Sequence, residues 1–329
     1  MLSAPWVVGP ITPCSRYVRV EGLLPRATVR LFQDGNIPIG TTAAQLPFEL
    51  VQLDASVQLE PGAIITATQE KDGEVSEHSP VPYQVLLPPP AEAYDRMFFL
   101  SPPVQCATCV SIGGVIPGAT VTLELSDNPA VTTVAQWTIV RLPVVDGINL
   151  GPGTPPVPGK IVVHQAGCGN DRGGTMTFPP PLRLRKTNLA AVPEFAPDLP
   201  APVFDPPPQA CQRLLHLTGL QPGATVRVER ASGTILSGCF GFTEGDLVLP
   251  DLGLEGNEVL TVWQQYDTRE CNRVGTKREV RVEPGRPEAP SFAVLPRAGD
   301  VFATVGNLVP GAVVQIFRDD DTQPFLIGA

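Results

Sequence analysis

The chain has 329 residues, a formal net charge of −10 and 43% hydrophobic residues, enough apolar material for two or three packed domains. Its 39 prolines and 31 glycines permit few long helices and favour short strands joined by turns. The acidic balance disfavours nucleic acid and anionic membrane surfaces as partners, and no apolar run is long enough to insert into a membrane. The opening segment MLSAPWVVGP has no basic region or long apolar core, so we expect any export signal to lie elsewhere.

One phrase occurs four times along the chain. It reads GLLPRATVRLF at 22–32, GVIPGATVTLE at 114–124, GLQPGATVRVE at 219–229 and GNLVPGAVVQIF at 306–317. The prolines of successive copies are 92, 105 and 88 residues apart, which is the length of one sandwich domain. The phrase predicts a strand, a turn and a strand, with glycine supplying the positive φ of the turn. Arg26 replaces this glycine in the first copy, so we expect a different turn type there.

Other sequence features recur with the same period as the phrase. A cysteine stands eleven residues before the first three prolines, and a strand-like segment ending in glutamine follows each of the first three copies. Strict alternation in that segment predicts one core-facing set of side chains. This set is Ile65, Ala67, Ile161, Val163, Leu260 and Val262. An aromatic residue, at Trp6, Phe98 or Phe99, Phe204 and Phe292, precedes each phrase.

About seven short strands per period are typical of an antiparallel β-sandwich of immunoglobulin-like type. The chain resembles the tandem immunoglobulin-like or fibronectin type III-like repeats of bacterial surface and secreted proteins. The predicted fold class is all-β, with tandem immunoglobulin-like antiparallel β-sandwiches arranged as beads on a string. The predicted repeats span residues 1–88, 89–190, 191–285 and, as an incomplete fourth, 286–329.

The fourth repeat lacks the later strands and would leave a sheet edge open. Two interpretations follow: the sequence is a fragment of a longer repeat protein, or the half repeat pairs with another molecule. Proline clusters at 86–94, 192–208 and 284–290 read either as semi-rigid linkers or as the first, edge strand of the next domain.

Seven cysteines offer several pairings. Positions near the second strand and in the hairpin after the late strand favour Cys106–Cys168 and Cys211–Cys271, each closing a loop of about 60 residues. Cys109 is the rival partner for Cys168, and connectivity cannot be fixed from sequence. Disulfides would indicate an oxidising compartment.

Two metal alternatives compete with simpler interpretations. Cys106, Cys109, His164 and Cys168 carry zinc-type ligands, although a unit able to build a core does not need a structural zinc. The acidic run 319–321 could bind calcium, but its counterparts in the other repeats are turn sequences, so a solvated turn is favoured. We therefore expect no metal and no cofactor.

Catalytic signals are weak. His78 lies beside Ser76 and Ser79, but neighbours along one loop rarely have the geometry of a nucleophile and its base. Trp263 and Tyr266 are the candidate ligand-contact aromatics, because alternation places Trp263 on the outward face of its strand. Trp137 shares that ambiguity between ligand contact and packing on a neighbouring domain.

The sequence thus predicts a non-enzymatic spacer or adhesive stalk of a larger bacterial protein that is extracellular or at the cell surface. Its partners would be neighbouring repeats and a protein or glycan surface ligand. The alternative is a set of ligand-binding modules, possibly for glycans, attached to a secreted enzyme or virion fibre. An enzyme is the third hypothesis. Fold analogy alone names no function.

Overall fold

The structure is a computed structural model. It describes residues 2–101, 103–104, 106–125, 128–144, 147–148, 161–167, 170–178, 199–249, 253–268, 272–284, 290–292, 305–306, 308, 314–317 and 326–328.

Three units built of antiparallel strands follow one another along the chain. Unit 1 comprises β1 (Trp6–Val8), β2 (Tyr17–Glu21), β3 (Thr28–Gln33), β4 (Ile37–Ala43), β5 (Phe48–Gln52), β6 (Ile64–Lys71), β7 (Glu74–Val75) and β8 (Tyr83–Gln84). Unit 2 comprises β9 (Phe98–Phe99), β10 (Cys109–Gly113), β11 (Thr120–Leu125), β12 (Asn128–Val134), β13 (Ile139–Pro143), β14 (Ile161–Gly167) and β15 (Asn170–Phe178). Unit 3 comprises β16 (Val203–Phe204), β17 (Leu214–Thr218), β18 (Thr225–Glu229), β19 (Ile235–Cys239), β20 (Glu244–Val248), β21 (Val259–Asp267), β22 (Asn272–Val274) and β23 (Arg278–Arg281).

Each unit pairs a three-stranded sheet with a larger one. The small sheets have the orders β1-β2-β5, β13-β10-β9 and β16-β17-β20. The larger sheets have the orders β4-β3-β6-β7, β12-β11-β14-β15 and β19-β18-β21-β22, and β8 and β23 add to β6 and β21. A 3₁₀ helix, Ala91–Arg96, precedes unit 2. This arrangement confirms the predicted all-β class with successive antiparallel sandwiches.

The two sheets of each unit enclose a separate apolar core. The six residues predicted to face the core from the late strands are all buried, with at most 1% of their surface exposed. Burial of this kind removes apolar surface from water and is the main stabilising contribution to such units. The period-two alternation was therefore a sound guide to the sheet faces.

The turn of the repeated phrase has one conformation in all three units. Gly118 and Gly223 adopt φ of 89° and 84°, and Arg26 adopts a φ of 67°. The amide after each of these residues donates to the carbonyl three positions earlier, at 3.0 Å in every unit. The expectation of a different turn at Arg26 is therefore wrong, because an exposed arginine can occupy the left-handed region here at a modest cost in strain.

The repeated aromatics lie in the first strand of each unit. Trp6, Phe99 and Phe204 lie in β1, β9 and β16, each paired with the second strand of its unit. The edge strand β16 thus lies within the proline-rich segment 192–208, whereas β9 follows the cluster at 86–94. Beyond unit 3, Phe292 begins the same pattern again in β24 (Ser291–Phe292), which pairs with β25 (Val305–Gly306), before β26 (Val314–Ile316) pairs with β27 (Leu326–Gly328).

No helix among the described residues has the length and apolarity needed to cross a membrane.

A largely buried ion pair connects the ends of two neighbouring strands, β18 and β21, in the larger sheet of unit 3. Arg230 follows β18 and donates from Nε and Nη2 to the two carboxylate oxygens of Glu258, at 2.8 and 2.9 Å. The side chains are only 10% and 7% exposed. The hydrogen bonds from Arg230 lower the pKa of Glu258, with burial opposing them. A bidentate pair of this kind fixes both position and orientation.

Removing one large core side chain should destabilise unit 2 selectively. Leu123 is fully buried in the core of unit 2. Leu123→Ala should cost about 2–5 kcal/mol of unfolding free energy, because methyl groups are lost and a cavity remains. Scanning calorimetry would resolve the unit that unfolds earlier. The adjacent Thr122→Ala removes only an exposed hydroxyl contact with Thr132 and serves as the control. Equal shifts of the unfolding temperature in the two variants would contradict this assignment of the core.

The pair between Arg230 and Glu258 should make unit 3 sensitive to acid. The folded pKa of Glu258 lies below its ordinary value of 4.5. Its ionised form therefore contributes stability above that pH, and the contribution is lost as pH falls through the lower folded value. Glu258→Gln should cost about 3 kcal/mol at neutral pH, and the difference from the native chain should shrink below pH of about 4.5. Urea unfolding at several pH values measures this; a difference independent of pH would count against it.

Candidate functional site at the junctions between units

The repeated glutamine lies within the late strand of each unit (β6, β14 and β21) and is completely buried. Gln69, Gln165 and Gln264 have no exposed surface. In each unit the side-chain oxygen accepts a hydrogen bond from a backbone amide in the turn of the repeated phrase. These bonds are Leu24–Gln69 (2.8 Å), Ile116–Gln165 (3.1 Å) and Gln221–Gln264 (2.6 Å). The repeated glutamine is therefore a structural hydrogen-bonding residue, a role that its repetition in sequence did not disclose.

The same glutamine also holds the incoming segment of its unit. Its side-chain amide donates to a backbone carbonyl of the residues that precede the first strand. The acceptors are Ser3 (2.8 Å), Tyr94 (2.7 Å) and Pro200 (2.8 Å). One buried amide thus satisfies a donor in the turn and an acceptor in the incoming segment, as a buried polar group must. The proline-rich connection is fixed to the end of the unit that it enters.

The turn of each later unit contacts the corner before the second strand of the preceding unit. A Cβ atom on Gly118 would collide with the backbone carbonyl of Cys14 in unit 1. A Cβ atom on Gly223 would collide with the side chain of Ala107 in unit 2. Glycine at these two positions therefore satisfies both the positive φ and a close approach between units. The exposed Arg26 in unit 1 meets only the first requirement.

Hydrogen bonds from Thr108 cross the junction between units 2 and 3. Its backbone amide donates to the carbonyl of Gly223 at 2.8 Å. Its hydroxyl lies 2.9 Å from the hydroxyl of Thr225 and 3.2 Å from the Gly223 carbonyl. Backbone groups of two units thus pair directly, which sets the register of one unit on the other.

A disulfide bond joins the same two units. Cys109 begins β10 of unit 2, and Cys239 ends β19 of unit 3. The bond connects residues 130 positions apart and lies beside the Thr108 contacts. The sequence suggested Cys109 only as a rival partner for Cys168 and gave no partner for Cys239, because neither has a counterpart at the same position in the other units.

The core of unit 2 continues into unit 3. Leu199, Ala224 and Tyr266 of unit 3 pack in the apolar cluster of unit 2. Burial raises the pKa of Tyr266 to about 12, with a smaller opposing effect from Arg273. The Tyr266 hydroxyl has no hydrogen-bond partner among the described residues. The junction between units 2 and 3 is therefore apolar inside and hydrogen-bonded at its side.

Cations of one unit also lie over aromatic rings of the next. The Arg141 guanidinium of unit 2 lies 5.2 Å from the ring centroid of Phe240 in unit 3. Arg19 of unit 1 lies 5.8 Å from the ring of Trp137 in unit 2 and 4.8 Å from Phe48 in its own unit. Contacts of this kind contribute about 0.5–1 kcal/mol at exposed sites. Trp137 thus packs against a neighbouring unit.

One of the two predicted cysteine pairings needs correction. Cys211 carries a free, exposed thiol, so the Cys211–Cys271 bond predicted from sequence is not present. Cys106 is disulfide-bonded. Cys168 and Cys271 lie outside the described residues. Because Cys106 and Cys109 are both bonded to sulfur, the alternative zinc site has lost two of its four ligands. The described residues contain no group of three potential metal ligands.

The two candidate ligand-contact aromatics are covered. Trp263 lies on the face that alternation predicts, but it is only 5% exposed. Its indole nitrogen donates to Gln265 at 2.8 Å, and the Lys277 ammonium lies 4.4 Å from its ring centroid. Tyr266 is 4% exposed. The prediction of an exposed pair is wrong, because alternation identifies a sheet face and says nothing of the side chains that cover it.

The serine and histidine of unit 1 have structural contacts. The Ser76 hydroxyl accepts a hydrogen bond from the backbone amide of Gln69 at 3.0 Å and donates one to the Glu77 carbonyl at 2.8 Å. The His78 Nδ1 atom lies 3.0 Å from the Thr66 hydroxyl, and the ring packs at a tilt of 59° against Phe32. The structure does not bring Ser76 and His78 together as a nucleophile and base. The acidic run 319–321 lies outside the described residues.

No protein-family profile and no curated protein matches the chain. Among solved structures it is similar to the BSP domain of a biofilm-associated protein, with 11% identity, a TM-score of 0.23, and coverage of 86% of this chain and 66% of that one. The chain thus spans slightly less than two thirds of that structure.

It is also similar to a Ca²⁺-stabilized adhesin by which an Antarctic bacterium binds ice, with 14% identity, a TM-score of 0.21, and coverage of 89% and 76%. A third likeness is to a 1.5-MDa bacterial ice-binding adhesin, with 12% identity, a TM-score of 0.20, and coverage of 87% and 100%. At such scores these likenesses carry no argument about function.

The buried glutamine should control local order at the start of each unit. Gln165→Ala would leave the Ile116 amide and the Tyr94 carbonyl without their partner. Each such group costs about 1–3 kcal/mol when it stays buried and unpaired. Hydrogen exchange at the Ile116 amide should therefore accelerate by about tenfold or more. Gln136→Ala, an exposed glutamine of the same unit, should leave that rate unchanged. Protection equal in both variants would contradict the proposed role of Gln165.

Proposed function

We propose that the chain is a non-enzymatic spacer or adhesive stalk segment of a larger bacterial protein, located outside the cell or on its surface. The observation that carries the proposal is the position of the two junctions on unit 2. Unit 2 contacts unit 1 through the Gly118 turn, which follows β10, and contacts unit 3 through Thr108, which precedes β10. The two ends of one strand thus face different neighbours, which favours units stacked end to end.

The sheet arrangement supports an immunoglobulin-like repeat. Each unit combines a three-stranded sheet with a larger sheet centred on the third strand and the late strand. Sandwiches of this architecture occur in immunoglobulin and fibronectin type III domains and in many cell-surface domains. We retain the predicted repeats at 1–88, 89–190 and 191–285 and an incomplete one at 286–329. The pairings of β24 with β25 and of β26 with β27 agree with the start of a fourth repeat.

The junctions between units restrict relative motion, as a spacer segment requires. Interfaces between domains of one chain are commonly small and allow relative motion. Three contacts restrict unit 3 relative to unit 2. They are the backbone hydrogen bond from Thr108 to Gly223, a shared apolar cluster and a disulfide. A chain of such joints keeps a distal ligand-binding domain away from its anchor.

The sulfur chemistry supports the proposed location outside the cell. Cys14, Cys106, Cys109 and Cys239 are all disulfide-bonded. Bonds of this kind persist in oxidising environments and are rare in the bacterial cytosol. They support an exported protein. The protein or glycan that such a stalk would present or contact is not identified by any side-chain constellation of the described residues, and burial of Trp263 and Tyr266 weakens the glycan-binding alternative.

Small-angle X-ray scattering tests this function. A compact protein of 329 residues has a radius of gyration of about 20 Å. End-to-end units should give a value well above that and a pair-distance distribution with a long tail. A radius near 20 Å would mean that the units fold back on one another, and the spacer function would have to be abandoned.

The close approach at Gly223 should determine the stiffness of one joint. Gly223→Ala places a methyl group against Ala107, so unit 3 must shift relative to unit 2. We expect a changed scattering profile and a wider range of interunit distances. Gly219→Ala is the matched control, since Gly219 also has a positive φ of 69° but has no atom within 4 Å of an added Cβ. Identical profiles for both variants would show that the contact does not control the joint.

A further inference from the structure

The corner before the second strand is built alike in all three units. An amide of the corner donates to the carbonyl three positions earlier. These bonds are Ser15 to Thr12 (3.0 Å), Ala107 to Val104 (3.2 Å) and Gln212 to Gln209 (3.2 Å). The residue just before each donor is a cysteine: Cys14, Cys106 and Cys211. The three cysteines therefore occupy one structural position.

This position lies at the junction with the following unit. The carbonyl of Cys14 meets Gly118 of unit 2. The carbonyl of Cys106 lies beside Gly147, which in turn contacts the side chain of Thr268 in unit 3. Cys14 and Cys106 thus lie at opposite ends of unit 2, with β10 between them, and are too far apart to bond each other.

The bonding state of five of the seven cysteines is defined. Cys14 and Cys106 are disulfide-bonded, Cys109 is bonded to Cys239, and Cys211 is free. The chain has seven cysteines, so the two that can supply the remaining partners are Cys168 and Cys271, which lie outside the described residues.

The described neighbours of these two cysteines decide between the two possible pairings. Thr268, three residues before Cys271, lies beside Gly147 at the junction that holds Cys106. Gly167, just before Cys168, ends β14, where its neighbour Ala166 pairs with Thr120 next to the Gly118 turn. That turn is the part of unit 2 that meets Cys14.

We infer that Cys14 is bonded to Cys168 and Cys106 to Cys271, so that each corner cysteine is linked forward to the following unit. Together with Cys109–Cys239, these bonds close both junctions covalently, once between units 1 and 2 and twice between units 2 and 3. The bond predicted within unit 2, Cys106–Cys168, is replaced by two bonds between units. The inference concerns connectivity and does not depend on the spacer function.

The chemistry is ordinary thiol–disulfide exchange. For each bond, two cysteine thiols lose two protons and two electrons as their sulfur atoms join. An external disulfide, such as oxidised glutathione, accepts the electrons and leaves as two thiols. A disulfide tolerates only a narrow range of Cα separations, so its two cysteines must come from segments that lie close together.

Mass spectrometry of the whole, non-reduced chain tests the connectivity. After the free thiols are alkylated under denaturing conditions at low pH, proteolysis should release peptides that link Cys14 with Cys168 and Cys106 with Cys271. One alkylated cysteine, Cys211, is expected per chain. A peptide linking Cys106 with Cys168, or more than one alkylated cysteine, would overturn the inference.

Single substitutions give a second and independent readout. Cys168→Ser should expose a new thiol at Cys14, whereas a bond within unit 2 would expose Cys106 instead. Cys271→Ser should expose Cys106. Cys211→Ser is the control and should leave no alkylated cysteine. A compact scattering profile with these same bonds would refute the spacer function and leave the connectivity intact.

Discussion

The buried glutamine of each late strand (β6, β14 and β21) ties the start of its unit to the turn of the repeated phrase. Its carbonyl oxygen and amide nitrogen reach two backbone segments, the turn and the incoming chain. Because the amide is fully buried, loss of either bond would leave a polar group unpaired in an apolar setting. Only a side chain with both a donor and an acceptor can serve here. The fixed incoming segment then brings the turn close to the preceding unit.

The turn serves both the unit to which it belongs and the junction. Within a unit it connects two strands in different sheets, which requires a residue that tolerates positive φ. Between units its glycine allows the backbone to approach a corner so closely that no Cβ could fit. Arg26 meets only the first requirement. It has the same positive φ, but its side chain is exposed and, in the part of the chain that the structure describes, does not pack against a preceding unit. Glycine in the second and third copies of the phrase is thus explained by contact as well as by conformation.

The sequence was most informative about which face of a strand points into the core. Ile161 and Val163 could be placed in the core because a strand exposes alternate side chains to opposite faces. It was less informative about partners. Gln165 was recognisable as a repeated mark, but its bond to Tyr94 spans 71 residues and leaves no local pattern. Lys277, which lies over the Trp263 ring, comes from the loop between β22 and β23, and the alternation within β21 does not reveal it. The free thiol of Cys211 was missed for a related reason: a periodic position does not say whether its partner lies in the same unit or the next.

A bond between units has a different physical effect from a bond within one. A disulfide inside a sandwich mainly restricts the unfolded chain of that sandwich. The Cys109–Cys239 bond joins residues 130 positions apart in two units, and it lies beside the hydrogen bonds of Thr108 to Gly223 and Thr225. When those weak bonds break, the disulfide keeps Thr108 and Thr225 close, so their effective concentration remains high and the junction closes again quickly. The covalent bond thereby converts small, reversible contacts into a joint that persists, although no single contact across it is strong.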